Sequence, residues 1–89
     1  MSITPVEILI DKLNKSFPGC NAVDTEEWNG NAGHIWFRGG EMPDGLDVIN
    51  MYAPEPLYIM GVHGELDAFL AEHGWHGEPH DAGTLMAYR

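Results

Sequence analysis

Apolar side chains recur at helical spacing near the N-terminus of the chain. Thr4-Pro5-Val6-Glu7 matches a capping box, in which the threonine is the N-cap and the glutamate reaches back to it. Ile3 and Ile8 flank this box as a hydrophobic staple. The predicted helix presents its core face through Val6, Leu9, Ile10, Leu13 and Phe17. Phe17-Pro18-Gly19 is expected to end it.

A second helix is predicted by the residues at its two ends. It begins at Gly64 or at the residue before it, and it stops at Gly74, a residue suited to the left-handed C′ position. With Gly74 at C′, Trp75 and Leu70 form the apolar pair of a Schellman motif. The core face of this helix consists of Leu66, Phe69 and Leu70. Such a helix must pack on an apolar surface.

Alternating apolar and polar positions predict strands between and after the two helices. The predicted strands run from Cys20 to Val23, His34 to Arg38, Leu46 to Tyr52, Leu57 to Val62 and Thr84 to Tyr88, with Trp75 to Pro79 as an edge segment. Turns are expected at Asn29-Gly30-Asn31, at Gly39 to Gly45 and at His80-Asp81-Ala82-Gly83. The segment Asp24 to Glu27 either continues the first strand or forms a loop.

These elements predict one α+β domain over residues 1–89. The connections are too short for parallel crossovers, so we expect a mainly antiparallel sheet of about four to five strands with two helices on one face. The element order is α-β-β-β-(β)-α-(β)-β, in which the bracketed strands are the weaker predictions. Leu57 to Val62 is apolar enough to be a central strand.

The net charge restricts the possible functions more than any motif does. Fourteen Asp and Glu against four Lys and Arg give a net charge of −10, and no Lys or Arg lies between Arg38 and Arg89. Direct binding to nucleic-acid phosphates or anionic lipids needs clustered cations, so we do not expect either. The charge then either keeps a small domain soluble or covers a face meant for a basic partner.

The sequence contains no apolar run near the length of a membrane span and no N-terminal signal pattern. A cytoplasmic protein is therefore the expectation, and no cofactor is predicted. The single Cys20 is either a nucleophile with a histidine as its base or, more commonly for a thiol on an apolar strand, a buried core residue.

Three histidines follow the second helix closely. His73, His76 and His80, with Glu78 and Asp81 nearby, have side chains that bind zinc, nickel or copper in other proteins. Their spacing matches no stringent zinc motif, and the alternative is that they are solvated loop residues. A small metal-binding protein or metalloenzyme is accordingly the second hypothesis for function.

Trp28, Trp36 and Tyr52 lie on or beside predicted strands. Trp36 is out of phase with Ile35 and Phe37, so it lies on the opposite face of its strand. Trp and Tyr are enriched as anchors of protein interfaces, but they also cover the second face of a sheet by stacking on each other. Both alternatives are open for Trp36.

In size, acidity and α+β architecture the chain resembles small accessory proteins of phages and mobile elements, including anti-CRISPR proteins, and bacterial immunity proteins. The resemblance covers no motif and implies a non-enzymatic protein that inhibits or modulates a partner. The first hypothesis is therefore a binding protein whose acidic face occupies the basic, nucleic-acid-binding surface of another protein. The predicted face comprises Asp24, Glu26, Glu27, Glu41, Asp44 and Asp47, with Trp36 as an apolar anchor.

Overall fold

The apolar stripes of two helices meet the inner face of an antiparallel sheet. The computed structural model describes residues 3–81 and 83–89. The elements are α1 (Val6–Ser16), β1 (Ala22–Asp24), α2 (Glu26–Asn29), β2 (Ile35–Phe37), β3 (Tyr58–Ile59), β4 (Val62–His63), α3 (Gly64–Glu72), β5 (His76–Asp81) and β6 (Thr84–Tyr88).

Four strands form the main sheet in the order β1-β2-β6-β5, and β3 pairs with β4 in a second sheet of two strands. Every pair is antiparallel, and Ile35 lies opposite Ala87 while Phe37 lies opposite Leu85. The predicted α+β class is confirmed. The predicted edge segment is also confirmed, because β5 is the outermost strand on one side and carries Pro79.

One cluster of buried side chains joins the helices to the sheet, as predicted. It includes Leu9, Leu13, Ile35, Phe37, Leu66, Leu70, Leu85 and Ala87. Phe17 after α1 and Phe69 of α3 meet edge to face, with ring centroids 5.2 Å apart.

The longest described helix has 11 residues, and no helix within residues 3–81 and 83–89 is long and apolar enough to cross a membrane.

The Schellman motif predicted at the end of α3 is present. Gly74 has a φ of 79°, which places it in the left-handed region. The Trp75 N–H donates to the Leu70 carbonyl at 2.9 Å, and the Gly74 N–H donates to the Ala71 carbonyl at 3.1 Å. This turn directs the chain straight into β5.

The capping box predicted for α1 is wrong, although the helix begins within one residue of the expected position. Pro5 is the N-cap residue and makes no side-chain cap. The Thr4 hydroxyl instead lies 2.8 Å from Nδ1 of His73, at the end of α3. Ile3 and Ile8 are each about half exposed, and Ile3 lies against Gly74. A tertiary hydrogen bond has taken the place of the local cap.

The strand predicted from Leu46 to Tyr52 is absent from the described structure. The segment forms a loop held by isolated pairings, in which Ile49 lies opposite Val62. The Asp44 carboxylate accepts the Leu46 N–H at 2.9 Å, and the Asn50 side chain accepts the Tyr52 N–H at 3.0 Å. Such local side-chain to backbone bonds compete with a sheet ladder, which explains the difference.

The central strand predicted from Leu57 to Val62 is also wrong. Met60 and Gly61 have φ values of 50° and 89° and turn the chain back on itself. The segment therefore becomes the hairpin of β3 and β4, outside the main sheet. Glycine accommodates the left-handed conformation that this turn requires.

Three smaller predictions also differ from the structure. Asp24 to Glu27 was expected to be strand or loop, but the chain turns into the short helix α2 after Asp24. Asn29-Gly30 does not join two strands; Gly30, with a φ of 83°, ends α2. The turn predicted at residues 80–83 contains fewer residues than expected, because β5 extends to Asp81. Ala82, within that turn, lies outside the described residues.

Candidate binding site on the outer sheet face

The four-stranded sheet has a second face, directed away from α1 and α3. Strand register places Val23, Trp36, Met86 and Glu78 in one row across it. Their neighbours along the strands, such as Ala22, Phe37 and Leu85, belong to the core. We call this second face, together with α2 beside it, the outer sheet face.

Trp28 of α2 packs on this face. Its ring lies 4.9 Å from the ring of Trp36 and 5.5 Å from that of His80, edge to face in both cases. Trp36 is half-buried in this stack, whereas Trp28 is 40% exposed. The alternative in which Trp36 covers the sheet is thus supported, and Trp28 is the ring that a binding partner would meet.

The sequence holds α2 in place through side chains at its start. The Asp24 carboxylate accepts the Glu26 N–H at 2.9 Å and also lies 3.3 Å from the Gly33 nitrogen. The buried Thr25 donates its hydroxyl to the Asn31 carbonyl at 2.7 Å. Trp28 is consequently positioned by a fixed turn, although α2 is too short to be stable alone.

Charged side chains border the tryptophan pair. The Arg38 guanidinium lies 5.6 Å from the centre of the Trp36 ring, within cation–π range, and 3.4 Å from the Glu27 carboxylate. Glu26 is exposed on the same short helix. The tryptophan pair is therefore bordered by one ion pair, and α2 adds the exposed carboxylate of Glu26.

Polar aromatic side chains continue the face toward β5. His34 and Tyr88 have ring centroids 5.0 Å apart, and His76 lies 6.2 Å from Tyr88. His76 Nε2 lies 3.3 Å from the Glu78 carboxylate. Sequence reasoning did not assign Tyr88 to a site; strand alternation placed His34 on the face of Trp36, whereas Tyr88 joins that face only through the register of β6 with β2.

The six acidic residues predicted to form one face lie in two groups. Asp24, Glu26 and Glu27 are at the end of β1 and in α2. The other group, Glu41, Asp44 and Asp47, lies in the loop over residues 40–48. That loop follows Gly39, whose N–H donates to the Cys20 carbonyl before β1 begins. The two groups are thus at opposite ends of β1, and only the first borders the tryptophan pair.

Most carboxylates in the described part of the chain have no Lys or Arg partner. Among the residues described, Lys15 pairs with Asp11 at 3.0 Å and Arg38 pairs with Glu27 at 3.4 Å, and no other Asp or Glu pairs with Lys or Arg. Across residues 3–81 and 83–89 the buried polar residues are Thr25 and His63, so none of the acids described is buried. The negative charge is therefore available at the surface.

Asp44 has a structural role as well. Its carboxylate lies 2.8 Å from Nε2 of His63, a side chain that is 3% exposed. Nδ1 of His63 accepts the Glu65 N–H at 3.2 Å and so caps α3, which assigns the imidazole proton to Nε2, facing Asp44. The Leu46 N–H, and after it His63, lower the pKa of Asp44. The position of His63 just before a helix was the sequence signal for this cap.

Removing the Asp44 charge should cost stability at neutral pH and progressively less in acid. A carboxylate whose pKa is lowered by folding stabilises the protein above its unfolded pKa, and the contribution disappears as pH falls through the folded value. Asp44→Asn should thus unfold at a lower urea concentration than the parent at pH 7, and the gap should narrow below about pH 4.

The control is Glu41→Gln, which removes one charge from the same loop and should change the pH 7 midpoint little. A gap between Asp44→Asn and the parent that stays constant from pH 7 to pH 3 would contradict the role given to Asp44.

The three histidines proposed as metal ligands are not brought together. His73 ends α3 beside Thr4, His76 faces Glu78, and His80 packs on Trp28. Within the described part of the chain, no three His, Cys, Asp or Glu side chains are arranged to hold a metal ion.

Cys20 lies in the core, as its second interpretation predicted. The side chain is fully buried, and its Sγ is 3.8 Å from the Leu13 carbonyl. Burial raises the pKa of the thiol, which disfavours the nucleophilic thiolate.

The third aromatic residue considered, Tyr52, lies apart from the tryptophan pair. It is 94% exposed and belongs to the loop that precedes β3. No protein-family model, curated protein or solved structure matches this chain.

Proposed function

We propose that this chain is a non-enzymatic, cytoplasmic binding protein that modulates or inhibits a partner by covering the partner's basic, nucleic-acid-binding surface. The observation that carries the proposal is the outer sheet face, where the exposed Trp28 stacks on Trp36 and His80 with Glu26 and Glu27 alongside. The partner is a protein, and neither nucleic acid nor membrane is proposed as a direct ligand.

The composition of this face is that of a protein interface. Binding energy at interfaces concentrates in a few central aromatic residues, around which a polar rim excludes water. Trp28 provides the central ring, and Trp36 beneath it keeps that ring in place. Because both rings are already packed, little side-chain entropy is lost on binding.

The negative charge raises the rate of association with a partner and favours partners with a basic surface. Carboxylates without cationic partners attract a Lys- and Arg-rich surface and raise the rate of association, with strong dependence on ionic strength. The second acidic group, in the loop over residues 40–48, contributes to the long-range field rather than to the contact itself. An occupied basic groove cannot bind phosphates, which is how such a protein would inhibit.

The proposal is tested by capture from a lysate of the source organism on immobilised, untagged protein. A basic nucleic-acid-binding protein should be retained at low salt and released at high salt, since salt screens the attraction between exposed charges. The purified partner should then bind Glu26→Lys/Trp28→Ala at least about tenfold more weakly than the parent, because truncation of a central aromatic alone typically costs that much.

Glu72→Lys/Ile8→Ala is the matched control. It reverses one exposed charge on α3 and truncates a side chain that is 51% exposed on α1, both on the other side of the molecule. Equal loss of binding in the two variants, or retention that does not respond to salt, would contradict the proposal.

A further inference from the structure

A groove lies at the free edge of β5, where the outer sheet face ends. It encloses about 370 Å³ and is lined by Ile59, Met60, Asp67, His76, Gly77, Glu78 and Pro79. The lining comes from the β3–β4 hairpin, from α3 and from β5. This volume is near the lower end of the roughly 300–1,000 Å³ that ligand pockets occupy.

The walls of the groove combine apolar surface with negative charge. Ile59, Met60 and Pro79 supply the apolar part, and Met60 projects from the hairpin turn with 82% of its surface exposed. Asp67 and Glu78 supply two carboxylates. Glu78 has His76 as its neighbour at 3.3 Å, and no Lys or Arg is among the described residues that line the groove.

This combination fits a side chain with an aliphatic stem and a cationic end. The stem of such a side chain packs on apolar surface while its charged head reaches the acids. A neutral apolar ligand would leave the two carboxylates partly desolvated without compensation, which is costly. An anionic ligand would be repelled by both.

We propose that the groove receives an arginine side chain of the partner protein. Arginine is favoured over lysine because its planar guanidinium presents several donors at once and is more weakly hydrated, so it can bond to carboxylates from two different elements. The inference rests on the proposed function and deepens it: Glu78 belongs both to the outer sheet face and to the groove, so one partner surface can reach both.

A tripeptide that carries a single arginine provides the test. Acetyl-Gly-Arg-Gly-amide is titrated into the ¹⁵N-labelled protein at low salt, beside the same peptide with citrulline, which keeps the shape of arginine and removes its charge. The arginine peptide should shift the amide signals of Asp67, Gly77 and Glu78 with a saturable, millimolar Kd. The citrulline peptide should leave them in place.

Three variants test whether the arginine peptide binds in the groove and through its carboxylates. Asp67→Asn/Glu78→Gln should weaken binding about tenfold, as expected for lost hydrogen bonds to charged groups. Met60→Asn removes the projecting apolar wall and suits the φ of 50° at that position, so it should weaken binding with the fold intact. Glu65→Gln/Glu72→Gln removes two charges from the exposed side of α3 and should bind like the parent.

Equal shifts with both peptides, absence of saturable binding, or equal loss in the two charge variants would overturn the inference. A different observation would contradict the proposed function, because its test depends on Trp28 and Glu26, which do not line the groove. If the arginine peptide does not bind to the groove, the partner should still be captured by the outer sheet face.

Discussion

Replacing Gly39 by alanine should destabilise the protein severely. A Cβ added at Gly39 would lie 2.0 Å from the Gly19 carbonyl oxygen and 3.0 Å from the Cys20 carbonyl carbon. Both are backbone atoms of the turn that precedes β1, so no side chain can rotate to make room. Overpacking usually costs about 1–3 kcal/mol, and a clash with backbone places this variant at or beyond the upper limit. The thermal midpoint should fall by about 4–8 °C for each kcal/mol.

Gly40→Ala is the control for this effect. A Cβ at Gly40 would meet no atom of the described residues within 4 Å, and Gly40 does not have a positive φ. Since alanine restricts the unfolded chain, this variant should be neutral or more stable by up to about 1 kcal/mol. Thermal unfolding followed by circular dichroism compares the two variants. Similar midpoints for both would contradict the close approach of residue 39 to the backbone of residues 19 and 20.

Leu70→Ala should have the second large effect. Leu70 is fully buried, belongs to the core cluster, and provides the carbonyl that closes the Schellman motif after α3. Truncating a buried leucine removes its transfer free energy and leaves a cavity, which costs about 2–5 kcal/mol. Total stabilities of small domains are about 5–15 kcal/mol, so the variant should lose a large part of its stability.

The comparison is with Leu57→Ala, which deletes the same atoms from a side chain that is 49% exposed. We expect a loss of about 1 kcal/mol or less, because little apolar area leaves the core. Urea unfolding should give a lower midpoint for Leu70→Ala at an unchanged m-value. Equal midpoints for the two leucine variants would contradict the assignment of Leu70 to the core.

Local sequence was sufficient for the elements with strong periodicity. Leu9 and Leu13 of α1, and Leu66 and Leu70 of α3, are buried as the helical spacing predicted. Thr84 to Tyr88 forms β6 with the predicted bounds. These segments bury one clear side, and burial of that side dominates the local free energy.

The candidate site was only partly predictable. Alternation placed Trp36 on the second face of its strand, and this is where it lies. The ring that covers it, Trp28, belongs to a four-residue helix with no periodicity to detect. Contact between Trp28 and His80 joins residues far apart in the chain, and no local pattern encodes such a contact.

Local signals failed where a tertiary partner competed with them. Thr4 had the features of a helix cap, yet its hydroxyl bonds to His73. Leu57 to Val62 had the composition of a central strand, yet Met60 and Gly61 turn it into a hairpin. In the same way, the acids of the predicted face separate into two groups because folding places the loop over residues 40–48 and α2 at opposite ends of β1.

The two longer helices, the antiparallel α+β class and the excess of negative charge follow from the amino-acid sequence, because periodicity, chain length and composition are properties of the chain alone. The strand order, the stack of Trp28 on Trp36, the bond between Asp44 and His63 and the groove beside β5 arise only in the folded protein. Each of these depends on contacts between residues distant in sequence, which form only when the core brings their elements together.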